Sequence, residues 1–233
     1  MTFCKCLRSV FFPGLCLFLF TLPASVARAD IATLTIGAPN TAMTCCTGPY
    51  ATVQIDRVDA THAVITFASD TNGDFIYLIG ASGAADLNVN GSYALGGVTE
   101  SNSLAGFTSK FKDNKPGEAA GFGKFNLSLD NSGGFTDSAT RVSFTITNTS
   151  GAWPSASRVL TPNRGGFEAA VHVFACAEPG CSTSSRAFKT GFSANDPPTN
   201  VPEPAGAVLL ASSMIGVLMR RRSVRVPKTE IRR

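Results

Sequence analysis

Residues 141–148, Arg-Val-Ser-Phe-Thr-Ile-Thr-Asn, decide the fold class of this chain. Val142, Phe144 and Ile146 alternate with Ser143, Thr145 and Thr147. Successive side chains of a strand point to opposite faces, so this spacing gives one apolar and one polar face; a helix of period 3.6 would mix them. The same alternation recurs toward the N-terminus, in 31–36 (Leu34 and Ile36 against Thr33 and Thr35) and in 51–58 (Val53 and Ile55 against Gln54 and Asp56). Residues 62–68 and 74–80 flank Thr71-Asn72-Gly73, and 87–89 and 93–95 flank Asn90-Gly91. Asn-Gly is the strongest short hairpin signal, because a type I′ turn needs positive φ at both central residues, so two hairpins are expected there. From Gly96 to Gly121 the pattern is lost, and this stretch reads as a long loop. Residues 122–130 resume it as one strand, with Phe125, Leu127 and Leu129 against Lys124, Asn126 and Ser128. Residues 168–176 are apolar on both faces, as a central buried strand requires, and 186–192 close the series. About nine short strands, with turn signals between them and no internal repeat, predict a mainly β domain. Its expected form is an antiparallel β-sandwich, with a jelly-roll-like arrangement as one option.

Two apolar segments lie outside this region. Lys5 and Arg8 precede an apolar run at 10–22, and Ala27-Arg28-Ala29 follows. A basic start, a short apolar centre and an A-x-A site are the parts of a secretory signal peptide. Residues 1–29 therefore read as a signal helix cleaved after Ala29, with Ala27 and Ala29 as the cleavage-site residues and Asp30 as the new N-terminus. Near the other end, Val201-Pro202-Glu203-Pro204 precedes 15 uncharged residues, Ala205 to Met219, and then Arg220-Arg221-Arg222. As a helix those residues reach about 22 Å. That is short of a bilayer core of about 30 Å, but snorkelling arginines recover part of the difference. No further element follows to cover 205–219, so it reads as a transmembrane helix. Both apolar segments carry cationic flanks that stay cytoplasmic under the positive-inside rule, which puts everything between them outside. The expected organisation is a signal peptide (1–29), a β domain (30–195), a proline-rich linker (196–200), a sorting segment (201–222) and a basic cytoplasmic tail (223–233).

Pro-Glu-Pro, an apolar span and an arginine cluster, in that order behind a signal peptide, resemble the PEP-CTERM sorting signal of Gram-negative bacteria. The match covers Val201 to Arg222; the tail after it is longer than the usual few residues. The resemblance implies recognition and processing by an exosortase, a membrane-embedded cysteine transpeptidase-like enzyme. It also implies delivery to the cell surface or extracellular matrix of an exopolysaccharide-producing bacterium. It gives no activity to the β domain.

The formal charge of +4 is targeting chemistry. Lys5, Arg8 and Arg28 contribute three positive charges, and the residues from Arg220 onward contribute a net six, so residues 30–219 carry −5. An acidic body without a Lys/Arg cluster excludes nucleic acid as the expected partner. Cys4, Cys6 and Cys16 lie in the signal segment, leaving Cys45, Cys46, Cys176 and Cys181. An even number in an oxidising compartment favours disulfides. A local Cys176–Cys181 bridge around Ala-Glu-Pro-Gly would leave Cys45–Cys46 as a vicinal pair; the alternative cross-links the early pair to the late one. The absence of two C-x-x-C knuckles argues against a zinc site.

Other candidates have simpler explanations. Asp70-Thr71-Asn72-Gly73-Asp74 has the oxygen spacing that begins a calcium loop, but Phe75 and Ile76 follow Asp74 where an EF-hand needs Gly, and Ala81 stands where it needs an acid. His62 and His172 sit within strand patterns, and no G-x-S-x-G or H-E-x-x-H occurs. Glu100, Glu118, Glu168 and Glu178 offer no recognisable glycosidase pair. Trp153, Tyr50, Tyr77 and Tyr93 could stack on sugar rings, with a place in the core as the simpler role for Trp153. The expectation is therefore a non-enzymatic exported protein, with no catalytic residues, metal or cofactor, and a structural or adhesive role in exopolysaccharide. The rival reading is a carbohydrate-active enzyme or carbohydrate-binding module with the same delivery signal.

Overall fold

A computed structural model describes residues 30–113 and 116–197. The expected signal peptide, sorting segment, transmembrane helix and tail lie outside the described residues, as does most of the linker. Among the described residues no helix is long and apolar enough to cross a membrane.

Fourteen strands follow one another: β1 (Asp30–Pro39), β2 (Ala51–Arg57), β3 (His62–Ser69), β4 (Thr71–Asn72), β5 (Phe75–Ile79), β6 (Ala85–Leu87) and β7 (Tyr93–Ser101). They continue as β8 (Phe111–Asp113), β9 (Gly117–Ala119), β10 (Gly123–Phe125), β11 (Leu127–Asn131), β12 (Arg141–Asn148), β13 (Ala169–Ala177) and β14 (Lys189–Asn195). Three single-turn 3₁₀ segments are the only helices among the described residues. Twelve strands belong to one sheet with the order β7-β12-β3-β2-β1-β14-β13-β6-β11-β8, and β5, which carries β4, also pairs with β13. Pairing is antiparallel throughout. The two ends of this path, β7 and β8, approach each other, so the sheet curls into a nearly closed barrel around one apolar core. The mainly β, antiparallel class is as expected. The twelve strands of this sheet form one ladder, since β1 and β14 link its two halves.

β12 shows how alternation becomes core. Val142, Phe144 and Ile146 are buried, and their register partners on β3 are Phe67, Ile65 and Ala63. The Phe67 and Phe144 rings stack at 6.3 Å. β13 lies between β14 on one side and β5 and β6 on the other, buried on both faces, as a sequence apolar at every position but His172 requires. Trp153 is 1% exposed within the main core, and its indole N–H donates to the Asn90 carbonyl at 2.8 Å.

Four local expectations are corrected. The Asn72-Gly73 turn joins only β4 to β5, because β3 pairs with β2 and β12 instead. Asn90-Gly91 makes no hairpin: β6 pairs with β11 and β13 while β7 pairs with β12, so the chain crosses from one region of the sheet to another there. The stretch after Gly96 is partly strand. β7 runs through Gly96 and Gly97, and its register against β12 shifts between Ser143 and Thr145, a bulge that these glycines accommodate. Residues 122–130 form two strands broken at Asn126, whose side-chain amide accepts from Val89 N and donates to Val89 O, both at 2.8 Å. That carboxamide replaces a ladder partner, which frees β10 to leave the sheet.

Candidate functional site

β9 and β10 pair only with each other. They lie on the outer face of the large sheet, where Ala119, Phe122 and Phe125 cover Ala170 and Ala194 in a second, smaller apolar cluster. Two side-chain amides clamp the hairpin: Asn40 donates to Ala120 O at 3.2 Å, and Asn163 donates to Phe122 O and Lys124 O at 3.0 and 3.1 Å. Beside the hairpin is an open cleft of about 610 Å³. Its walls include Phe125, Pro116 and Pro162, its polar lining includes Asn88 and Asn126, and Lys124 and Arg164 are exposed on it.

Under the hairpin lies an acid that sequence reading passed over. Asp86 is 0% exposed and stands in register opposite Ser128 on β11 and Ala170 on β13. Neither carboxyl oxygen of Asp86 nor the Ser128 hydroxyl has a hydrogen bond. Burial pushes the Asp86 carboxyl up to about 7, and the Asp130 charge adds to the rise. Ser128 stands close enough to oppose the rise, yet no bond of normal geometry joins the two groups. Asn88 and Asn126 sit one strand period along from Asp86 and Ser128 on the same face. The floor of the cleft and the buried pair therefore form one polar strip across β6 and β11. The overlooked signal was an ionisable residue inside the short apolar run Ala84-Ala85-Asp86-Leu87.

The residues singled out from the sequence do not converge. His62 is exposed, with Nδ1 2.8 Å from Asp59 Oδ2. The Thr61 hydroxyl meets the same ring nitrogen, at 3.0 Å, whereas a nucleophile–base–acid chain uses both. Asp59 also accepts the backbone N–H groups of Thr61 and His62; led by the Thr61 bond, these hold its carboxyl well below the usual range, so the group is a turn cap. His172 stacks on Phe192 at 4.3 Å, and burial lowers its pKa. Its Nδ1–H donates to the Ser82 carbonyl and its Nε2 accepts from Thr190, so both nitrogens are used by the fold. Glu100 and Glu118 are on β7 and β9, and Glu168 and Glu178 are at opposite ends of β13. Tyr50 and Tyr77 are buried edge to face at 4.9 Å, and the half-buried Tyr93 donates to Asn126 O at 2.6 Å. Trp153, Tyr50 and Tyr77 are thus taken up by the core, and the Tyr93 hydroxyl by a backbone carbonyl.

Cys45 and Cys46 stand at disulfide distance, as do Cys176 and Cys181, with Cα separations of 3.8 and 5.4 Å. The late pair closes the turn after β13. Among the described residues no group of three or more His, Cys, Asp or Glu side chains could hold a metal ion. The Asp70–Asp74 stretch is a hairpin, with the Asn72 amide donating to the carbonyls of Thr47 and Gly48.

No protein-family model matches this chain, and no curated protein or solved structure shows significant similarity to it.

Proposed function

We propose that this chain is an exported, non-enzymatic surface or extracellular-matrix protein of a Gram-negative bacterium. Its β domain is delivered by a PEP-CTERM-like signal and plays a structural or adhesive role in exopolysaccharide. The observation that carries this reading is the two local cysteine pairs at disulfide distance within one β domain, the arrangement expected of a chain matured in an oxidising compartment. One further feature supports it. Asp30, the first residue after the expected cleavage, serves the fold, accepting Ala156 N–H at 2.6 Å and lying 3.7 Å from the Arg57 guanidinium. In this reading exosortase is the processing partner, and 205–219 holds the chain in the inner membrane until it acts. The sandwich form belongs to the same proposal, with the curled sheet's two halves closing over a shared core. A second reading, carbohydrate binding, is favoured by the cleft, where apolar walls for a sugar ring meet the exposed cations Lys124 and Arg164.

Mass spectrometry of the protein from its native host should find Asp30 at the N-terminus and the arginine cluster removed. Changing Glu203→Ala should leave the β domain folded while unprocessed chain accumulates in the inner membrane. An intact Met1 on the exported protein, or normal processing of Glu203→Ala, would count against the proposal. Thiol labelling of unreduced, denatured protein should modify none of Cys45, Cys46, Cys176 and Cys181. Labelling of all four would remove the observation on which export rests.

A further inference from the structure

The β9–β10 hairpin forms a sheet of its own, so it can move without breaking the ladder of the large sheet. Its first strand rests directly on the buried polar pair. A Cβ at Gly117 would lie 2.5 Å from Ser128 Oγ and 2.9 Å from Asp86 Oδ1, so only glycine lets the backbone approach this closely. Gly83 closes the other side in the same way, where a Cβ would lie 3.0 Å from Asp86 Oδ2. The carboxyl is therefore enclosed beside the Ser128 hydroxyl, and neither of its oxygens accepts a hydrogen bond of normal geometry.

We propose that the β9–β10 hairpin is a proton-controlled cover, seated on Asp86 while that carboxyl is protonated and lifted at Gly117 when it ionises. Lifting would open the strip of Asp86, Asn88, Asn126 and Ser128 to water and join it to the neighbouring cleft. A buried carboxylate without hydrogen bonds of normal geometry is costly, and hydration would supply them. Adjacent charged groups supply no compensation, and Ser128 opposes the rise only in part. From β11, Asp130 adds repulsion; its own Oδ1 accepts from Gly83 N at 2.7 Å and Ser82 Oγ at 3.2 Å. From β13, burial disfavours the charged form of His172, whose Nδ1–H is committed to the Ser82 carbonyl. From the hairpin, Glu118 and Lys124 are cross-strand partners with exposed side chains. Among the described residues the ion pairs are Arg57–Asp30 and His62–Asp59, and neither involves Asp86.

The seated form binds a proton that the lifted, hydrated form releases near the ordinary carboxylate range. Opening therefore grows as pH rises from about 4 to about 7, by up to about tenfold per unit, and levels off above that. The test is hydrogen exchange of the full chain from pH 4 to 8, normalised for the intrinsic rate and read on peptides covering 117–125. Protection there should fall at least tenfold between pH 4 and 7 and then flatten, while β13 stays protected. In Asp86→Asn it should stay high at every pH; in Gly117→Ala, whose Cβ cannot be seated, it should be low at every pH. A flat wild-type profile, or an unchanged profile in Asp86→Asn, overturns the proposal. If Asp86→Asn does not fold, Gly117→Ala decides: protection like that of the wild type would show that the hairpin does not rest on Asp86.

Discussion

Replacing Trp153 by alanine is expected to cost about 3–5 kcal/mol of stability, measured by denaturant unfolding. Trp153 is the largest fully buried side chain, and its indole packs within the main core cluster. Its removal leaves a cavity that the surrounding sheet cannot collapse to fill, because the backbone ladders fix the spacing of the core. The change also strands a backbone group. The Asn90 carbonyl accepts the indole N–H and would lose that partner, while the backbone bond from Trp153 N to Ala60 O at 2.7 Å would remain. Trp153→Phe separates the two effects, since it keeps much of the volume and removes the donor; it should cost about 1–3 kcal/mol. A loss below about 1 kcal/mol for Trp153→Ala would mean that the indole is not part of the core.

The second large effect is a dependence of global stability on pH that runs opposite to ordinary acid denaturation. Asp86 holds its proton up to about 7 in the folded chain, against an ordinary aspartate value of 3.8. Between those values the folded state binds more protons than the unfolded state, so stability falls as pH rises through the window and then stays low. The shift corresponds to a loss of at most about 4 kcal/mol. Asp70 and Glu168, both raised by burial, add in the same direction. His172, lowered by burial, opposes them: its unfolded form takes up a proton below about 6.5, so its contribution grows as pH rises. The difference between wild type and Asp86→Asn isolates the one carboxyl. The two should be nearly equal at pH 4, with the variant more stable at pH 7.5. Parallel curves across that range would show that Asp86 carries no such load. If the hairpin lifts, hydration relieves part of the cost, and the global loss falls below the upper figure while local exchange rises.

The sequence by itself determined the class of this fold, because alternation is a local property that a strand imposes on its own residues. Residues 141–148 carry it so regularly that β12 has the expected bounds, and the two-sided apolar run around Val171 and Val173 marked β13 as interior. The local cysteine spacing likewise pointed to a pairing that the structure places at disulfide distance. Which strands are neighbours was decided only by the tertiary structure. Asn-Gly specifies a turn, but it cannot say whether the flanking strands stay together, and around Asn90-Gly91 they do not. The candidate site was illegible for the same reason. Asp86 and Ser128 are 42 positions apart and meet only because β6 pairs with β11. Gly117 closes over them because the Asn126 carboxamide ends one strand and releases the hairpin. Burial, which moves the Asp86 carboxyl far from its ordinary range, belongs to the assembled sheet, since no residue excludes water from itself.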